Sequence, residues 1–227
     1  MSTTTLGRPL ASAASAPTDV VRGFHPGWFG AVMGTGIVGV AAYMNPGGIH
    51  AFLRPAHVVG IAVVIVAWLL AASITIPYLA RIVRHRDAAA ADLHHPVVGG
   101  LYATFPAAPL VLAVATATVG GSVLSVHAVV AVVAVLAAVG SLLAFAAAVG
   151  FTYLLFSGEG LAAETANGGW FIPPVVAIII PLTLLPLLPH VGLPAGRLLL
   201  LAGYSGLGIG LFLYLLVAAV LFGRLVF

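Results

Sequence analysis

The side chains able to do chemistry in this chain are few, and several recur at a spacing of 70 residues. His25-Pro26 and His94-His95-Pro96 each lead into a Gly-rich apolar stretch, while His57, His127 and Arg197 each open a plainer Val/Leu/Ala stretch. A histidine before a proline at a helix start either caps the helix, with Pro at its first position, or presents an imidazole that senses pH or meets anions. Adjacent histidines at a helix start rarely converge on one ion, and no third ligand is evident near His94 and His95, so neither a metal nor a cofactor is expected. The chain has no cysteine, which excludes disulfides, thiolate metal sites and cysteine nucleophiles. One serine, in Gly203-Tyr204-Ser205-Gly206, sits in a pattern that suits a nucleophile, and that chemistry needs a base to take its proton.

The elements that must hold these groups follow from composition. Hydrophobic residues make up 62% of the chain and charged residues 6%. Six stretches are long enough to cross ~30 Å of hydrocarbon as helices: about 27–44, 56–80, 97–119, 127–156, 169–188 and 197–223. The chain reads as an all-α integral membrane protein, with its transmembrane part over 25–227 and hairpins over 25–82, 95–156 and 167–223. Residues 1–24, rich in Ser, Thr and Ala, lack the apolar core of a signal peptide and read as a disordered cytoplasmic tail. Arg8, Arg22, Arg81, Arg84, Arg86 and Arg224 fall on one side of six spans, and Arg54 and Arg197 on the other. That asymmetry places both termini in the cytoplasm of a cell-membrane protein. Spans one, three and five then all run outward, as parallel hairpin repeats about an axis along the membrane normal.

Odd and even spans differ in chemistry. Spans two, four and six are mostly Val, Leu, Ala and Ile, suited to an outer ring. The odd spans carry Gly30, Gly34, Thr35, Gly36 and Gly39; then Gly99, Gly100, Thr104, Phe105, Pro106 and Pro109; then Pro173, Pro174, Pro181 and Pro186. A shift of 70 lays Gly34-Thr35-Gly36 on Thr104-Phe105-Pro106 and then on Pro174-Val175-Val176. Aligned breaks of this kind are tolerated at membrane depth where they line a cavity or are buried in protein. The odd helices are therefore expected to form the inner ring, broken near the midplane, with Gly34, Thr35, Gly36, Thr104, Phe105, Pro106, Pro173 and Pro174 lining a path. The competing reading is packing: Gly30 and Gly34 form a G-x-x-x-G pair, and Gly206 and Gly210 another small-residue face.

The spans contain no Asp or Glu away from their ends, which argues against proton-pump and cation-channel chemistry. Half-helix N-termini with free N–H groups would instead offer a weak anion site of the kind a passive pore needs. Glu159 and Glu164, in the loop after span four, read as solvated charges, and His57 and His127 as outer-interface residues.

The segment His25-Pro26-Gly27-Trp28-Phe29-Gly30-Ala31-Val32-Met33-Gly34-Thr35-Gly36 resembles the first-helix signature of the tellurite-resistance/dicarboxylate transporter family. His95-Pro96 with Tyr102-Ala103-Thr104-Phe105-Pro106, and Gly169-Trp170-Phe171-Ile172-Pro173-Pro174-Val175, agree with it on successive odd helices. The resemblance implies passive transport of small anions, with C4-dicarboxylates such as malate, sulfite, nitrate and chloride as candidates, and a homo-oligomeric, trimeric assembly in the lipid bilayer. That family has ten helices in five hairpins around a pore, whereas three hairpins are legible here, so an incomplete ring with a cleft between spans one and five is expected. The family's occluding phenylalanine has no counterpart, and Phe105 is carried only as a pore-lining candidate. Gly203-Tyr204-Ser205-Gly206 also matches the G-x-S-G pattern of rhomboid intramembrane proteases, but there the base lies on a later helix and here no histidine follows Ser205. A non-conducting scaffold is the third alternative.

Overall fold

The computed structural model describes residues 20–45, 47–95, 98–157 and 165–226. The expected tail over 1–19 with Arg8, and Pro96, Glu159 and Glu164, lie outside the described residues. The helices are α1 (Phe29–Met44), α2 (Leu53–Arg84), α3 (Arg86–Leu93), α4 (Val98–Leu101), α5 (Thr104–Val119), α6 (Val126–Ser157), α7 (Ile172–Leu184) and α8 (Leu193–Val226). Among the described residues there is no strand. Six helical stretches are long and apolar enough to span a bilayer, from Pro26–Met44 to Leu193–Val226; their ends lie within about four residues of those read from the sequence, except that span two starts at His50, about six residues earlier.

Consecutive spans pack as pairs, α1 on α2, α5 on α6 and α7 on α8. The pairs are joined through α5, which touches α1, α2, α6 and α7. Span three is accordingly 61% buried over its apolar window, against 17% for span six. It fills the middle of the described bundle because its sequence is narrow: Ala103, Ala107, Ala108, Ala113 and Ala115 let neighbouring helices approach it on several sides. Ile, Leu and Phe side chains on α2, α6 and α8, such as Ile76, Leu142, Phe212 and Leu215, stay exposed on the outside of the described bundle. Span one departs from the inner-ring expectation, being only as buried (28%) as span two.

The third pair shows how small residues set the spacing. A Cβ on Gly210 would lie 2.7 Å from the Pro174 carbonyl oxygen and 2.8 Å from the Ile178 nitrogen, both backbone atoms that cannot step aside. Gly206 meets the Ala177 carbonyl in the same way at 3.0 Å. The packing reading of these glycines is therefore correct. Gly210→Ala should cost about 1–3 kcal/mol through overpacking, while Gly208→Ala, whose Cβ meets nothing within 4 Å, should be neutral or slightly stabilising. Thermal unfolding of the two variants in detergent would compare them directly.

The midplane breaks are not where the aligned motifs placed them. α1 runs without interruption through Gly34-Thr35-Gly36. Pro106 and Pro174 are each the third residue of their helices, α5 and α7. In a first turn the missing N–H of proline has no intrahelical partner to lose, so these prolines begin helices rather than break them. Each odd span does open with a short helical turn before its main helix: Pro26–Trp28 before α1, α4 before α5, and Gly168–Phe171 before α7. The main helices thus start roughly 6–9 Å inside the span, short of the ~15 Å that reaches the centre of the hydrocarbon. We call this side, where span one begins, the near face.

Candidate functional site

The residues with chemical potential gather at the near face. His25 caps the first turn, its Nδ1 accepting the Gly27 N–H at 3.0 Å, with Pro26 following. His95 accepts the Val98 N–H on Nδ1 at 3.3 Å, and His94 Nδ1 lies 2.9 Å from the Ala90 carbonyl oxygen. The capping reading of the His-Pro pairs is the one the geometry supports. At the opposite face His57 stacks on Tyr43 with centroids 4.3 Å apart, and the Tyr43 hydroxyl is 2.7 Å from Ser122 Oγ.

The eight expected path residues divide into separate environments. Gly34 lies on an open strip of α1 with Gly30, where an added Cβ would meet nothing within 4 Å at either position. Thr35 is half-buried between that strip and the core. Gly36 faces inward, its Cβ position 2.8 Å from Val111 of α5. Thr104 is buried, and its hydroxyl is within hydrogen-bond reach of two carbonyls, Pro26 at 2.8 Å and Leu101 at 2.7 Å, so it ties α5 to the start of span one. Phe105 joins an aromatic cluster with Phe29 and Tyr78, with centroids 5.1 and 4.9 Å away. Pro106, Pro173 and Pro174 are buried among helices. Ser205, in α8, is half-buried and lies off the Gly203, Gly206 and Gly210 face that packs on α7.

The most organised polar constellation was not legible as a site. Arg81, in the last turn of α2, read as one of several orientation-setting charges, yet it is 4% exposed. Its Nε–H donates to the Arg22 carbonyl at 2.8 Å, one terminal nitrogen donates to the Tyr102 hydroxyl at 3.2 Å, and the other donates to Asp92 at 2.5 Å. The Tyr102 hydroxyl in turn donates to the Ala89 carbonyl at 2.9 Å. Four segments meet here: the approach to span one, the end of span two, the loop helix α3, and the turn between α4 and α5. A second, exposed pair, Arg22 with Asp87 at 3.2 Å, holds the other end of α3. Arg224, at the end of α8, donates to the Ala166 carbonyl and closes the near side of the third pair. The sequence signal for the clasp was faint: Asp92 lies in the last turn of an Ala-rich helix, where the dipole disfavours a carboxylate.

Comparison with known proteins adds a family. Residues 23–227 match the family model described as voltage-dependent anion channel. An uncharacterized transporter of Methanocaldococcus jannaschii is 32% identical over 217 residues, covering 96% of this chain and 59% of the relative. A second uncharacterized transporter of that organism is 29% identical over 212 residues, covering 91% and 57%. The chain thus spans less than two thirds of the length of these relatives. No solved structure matches.

Proposed function

The chain belongs to the voltage-dependent anion channel family, and from that premise we propose that it forms part of a passive pathway for small anions, C4-dicarboxylates, sulfite, nitrate or chloride. Membership makes it a transport protein rather than an enzyme. The observation that carries the reading is electrostatic: all six spans lack Asp and Glu, so no intramembrane carboxylate attracts a cation or repels an anion. The path runs along the odd spans, with the open Gly30 and Gly34 strip of α1, bordered by the half-buried Thr35, as its wall in the first hairpin. Weak attraction comes from the positive dipole ends of the odd helices, which start just inside the near face and suit an ion that must also leave. The arginine asymmetry supports a cell-membrane protein with the near face in the cytoplasm.

Because α5 fills the middle of the described bundle, the pathway needs walls beyond these six spans, supplied by further hairpins such as the longer relatives have room for, or by further copies. Liposomes carrying the chain should release little nitrate or chloride. Co-expression with the part of one archaeal relative that this chain does not cover should raise anion release well above potassium release. Equal release of potassium and anions would overturn the proposal, as would selective anion release from the chain as a purified monomer.

A further inference from the structure

We propose that Arg81 and Tyr102 form an oxyanion-binding site at the near face, closed in this structure by the chain's own helix α3, which a phosphate or carboxylate group displaces. The argument begins with what α3 contributes. Asp92 supplies one carboxylate oxygen to the Arg81 terminal nitrogen at 2.5 Å, and Ala89 supplies a carbonyl to the Tyr102 hydroxyl at 2.9 Å. Both acceptors are on α3, and both donors are on the spans. Lifting α3 therefore frees two donors, Arg81 Nη2 and the Tyr102 hydroxyl, and the hydroxyl is already held beside the guanidinium by its 3.2 Å hydrogen bond from the neighbouring Nη1. A guanidinium nitrogen and a hydroxyl on adjoining sides of one guanidinium are donors that one oxyanion accepts.

The donors are fixed and the lid is not. The Arg81 side chain is 5% exposed and stays tied to the Arg22 carbonyl through Nε, while the Asp92 side chain is 29% exposed, so solute reaches the carboxylate side of the pair. α3 has no buried residue of its own. It is held at one end by an ion pair whose partners are 60% and 70% exposed, and at the other by the two contacts named above and by the close approach of the Leu93 carbonyl to Gly99. The carboxylate also stands in the last turn of α3, against the helix dipole, so what holds it there is Arg81. Asp92 acts as the resident ligand of a site that binds its chemical class. This holds whether or not the pathway conducts, and its test does not measure flux.

The test is hydrogen exchange of the α3 amides in phosphatidylcholine nanodiscs, titrated with inorganic phosphate against chloride at constant ionic strength. A ligand that binds only the open form raises its population, so exchange across α3 should accelerate and saturate with phosphate but not with chloride. Asp87→Asn should speed basal exchange and keep the saturable response. Asp92→Asn removes the competitor and should lower the phosphate midpoint by roughly tenfold or more. Nanodiscs containing phosphatidylglycerol without added phosphate distinguish a lipid headgroup from a soluble ion, and a response to either source supports the site. Wild-type protein whose α3 exchange responds to neither, or equally to chloride, overturns the proposal, and so does a response abolished by Asp87→Asn. The wild-type titration decides the matter should Asp92→Asn not fold.

Discussion

Asp92→Ala, measured by thermal unfolding in detergent with chloride as the only added anion, should destabilise the protein by about 3–5 kcal/mol. The size follows from what is left behind. Arg81 is 4% exposed and has one carboxylate partner; its other acceptors are a carbonyl and a hydroxyl. Removing that partner strands a guanidinium away from water, which costs far more than the pair contributes relative to an apolar replacement. Asp87→Ala, which breaks the exposed Arg22 pair at the other end of α3, should cost about 1 kcal/mol or less. Two carboxylates on one eight-residue helix thus differ severalfold in effect because of burial. Arg81→Met with Asp92→Ala together should recover much of the loss, since the stranded charge is gone. Equal, small effects of Asp87→Ala and Asp92→Ala would show that the near-face clasp is open in the membrane.

Arg81 also marks the boundary of what the sequence could reveal. Hydropathy fixes the existence and approximate limits of six spans because the bilayer imposes a length on any apolar helix, and the observed ends agree within about six residues. Small-residue spacing marked Gly206 and Gly210 as a packing face without naming its partner, and in the structure they sit against α7 where no Cβ fits. The His-Pro pairs were readable as caps for the same local reason. Long-range pairing was not readable. Nothing in the spacing of Arg81, Asp92 and Tyr102 distinguishes a buried clasp from three surface residues near a loop. The prolines misled in the opposite sense: aligned by the repeat, Pro106 and Pro174 suggested midplane breaks, but a proline serves equally as a first-turn residue. Only the positions of the preceding turns decide between the two. Phe105 is similar, because a ring beside a pore and a ring packed on Phe29 and Tyr78 are written with the same letter.

The two glycines that flank Thr35 separate folding from conduction. Gly36→Leu would force a branched side chain into a position already 2.8 Å from Val111 at its Cβ, on the contact between α1 and α5 that joins the first two pairs. Overpacking there costs about 1–3 kcal/mol, and more if the helices must part, so folded yield should fall. At Gly34 an added Cβ meets nothing within 4 Å, and Gly34→Leu exchanges the poorest ordinary helix former for a good one, worth up to about 0.8 kcal/mol in the opposite direction. Its yield and unfolding temperature should hold or rise. In the complete conducting assembly, however, the same leucine projects from the strip proposed to wall the pathway, and most of the anion flux per folded molecule should be lost. The pair is informative because the residues are two apart, on opposite sides of one helix, and change by the same atoms. If Gly34→Leu leaves flux per folded molecule at the wild-type level, the open strip of α1 faces lipid or a packing partner, and the path must run along α5 and α7 alone.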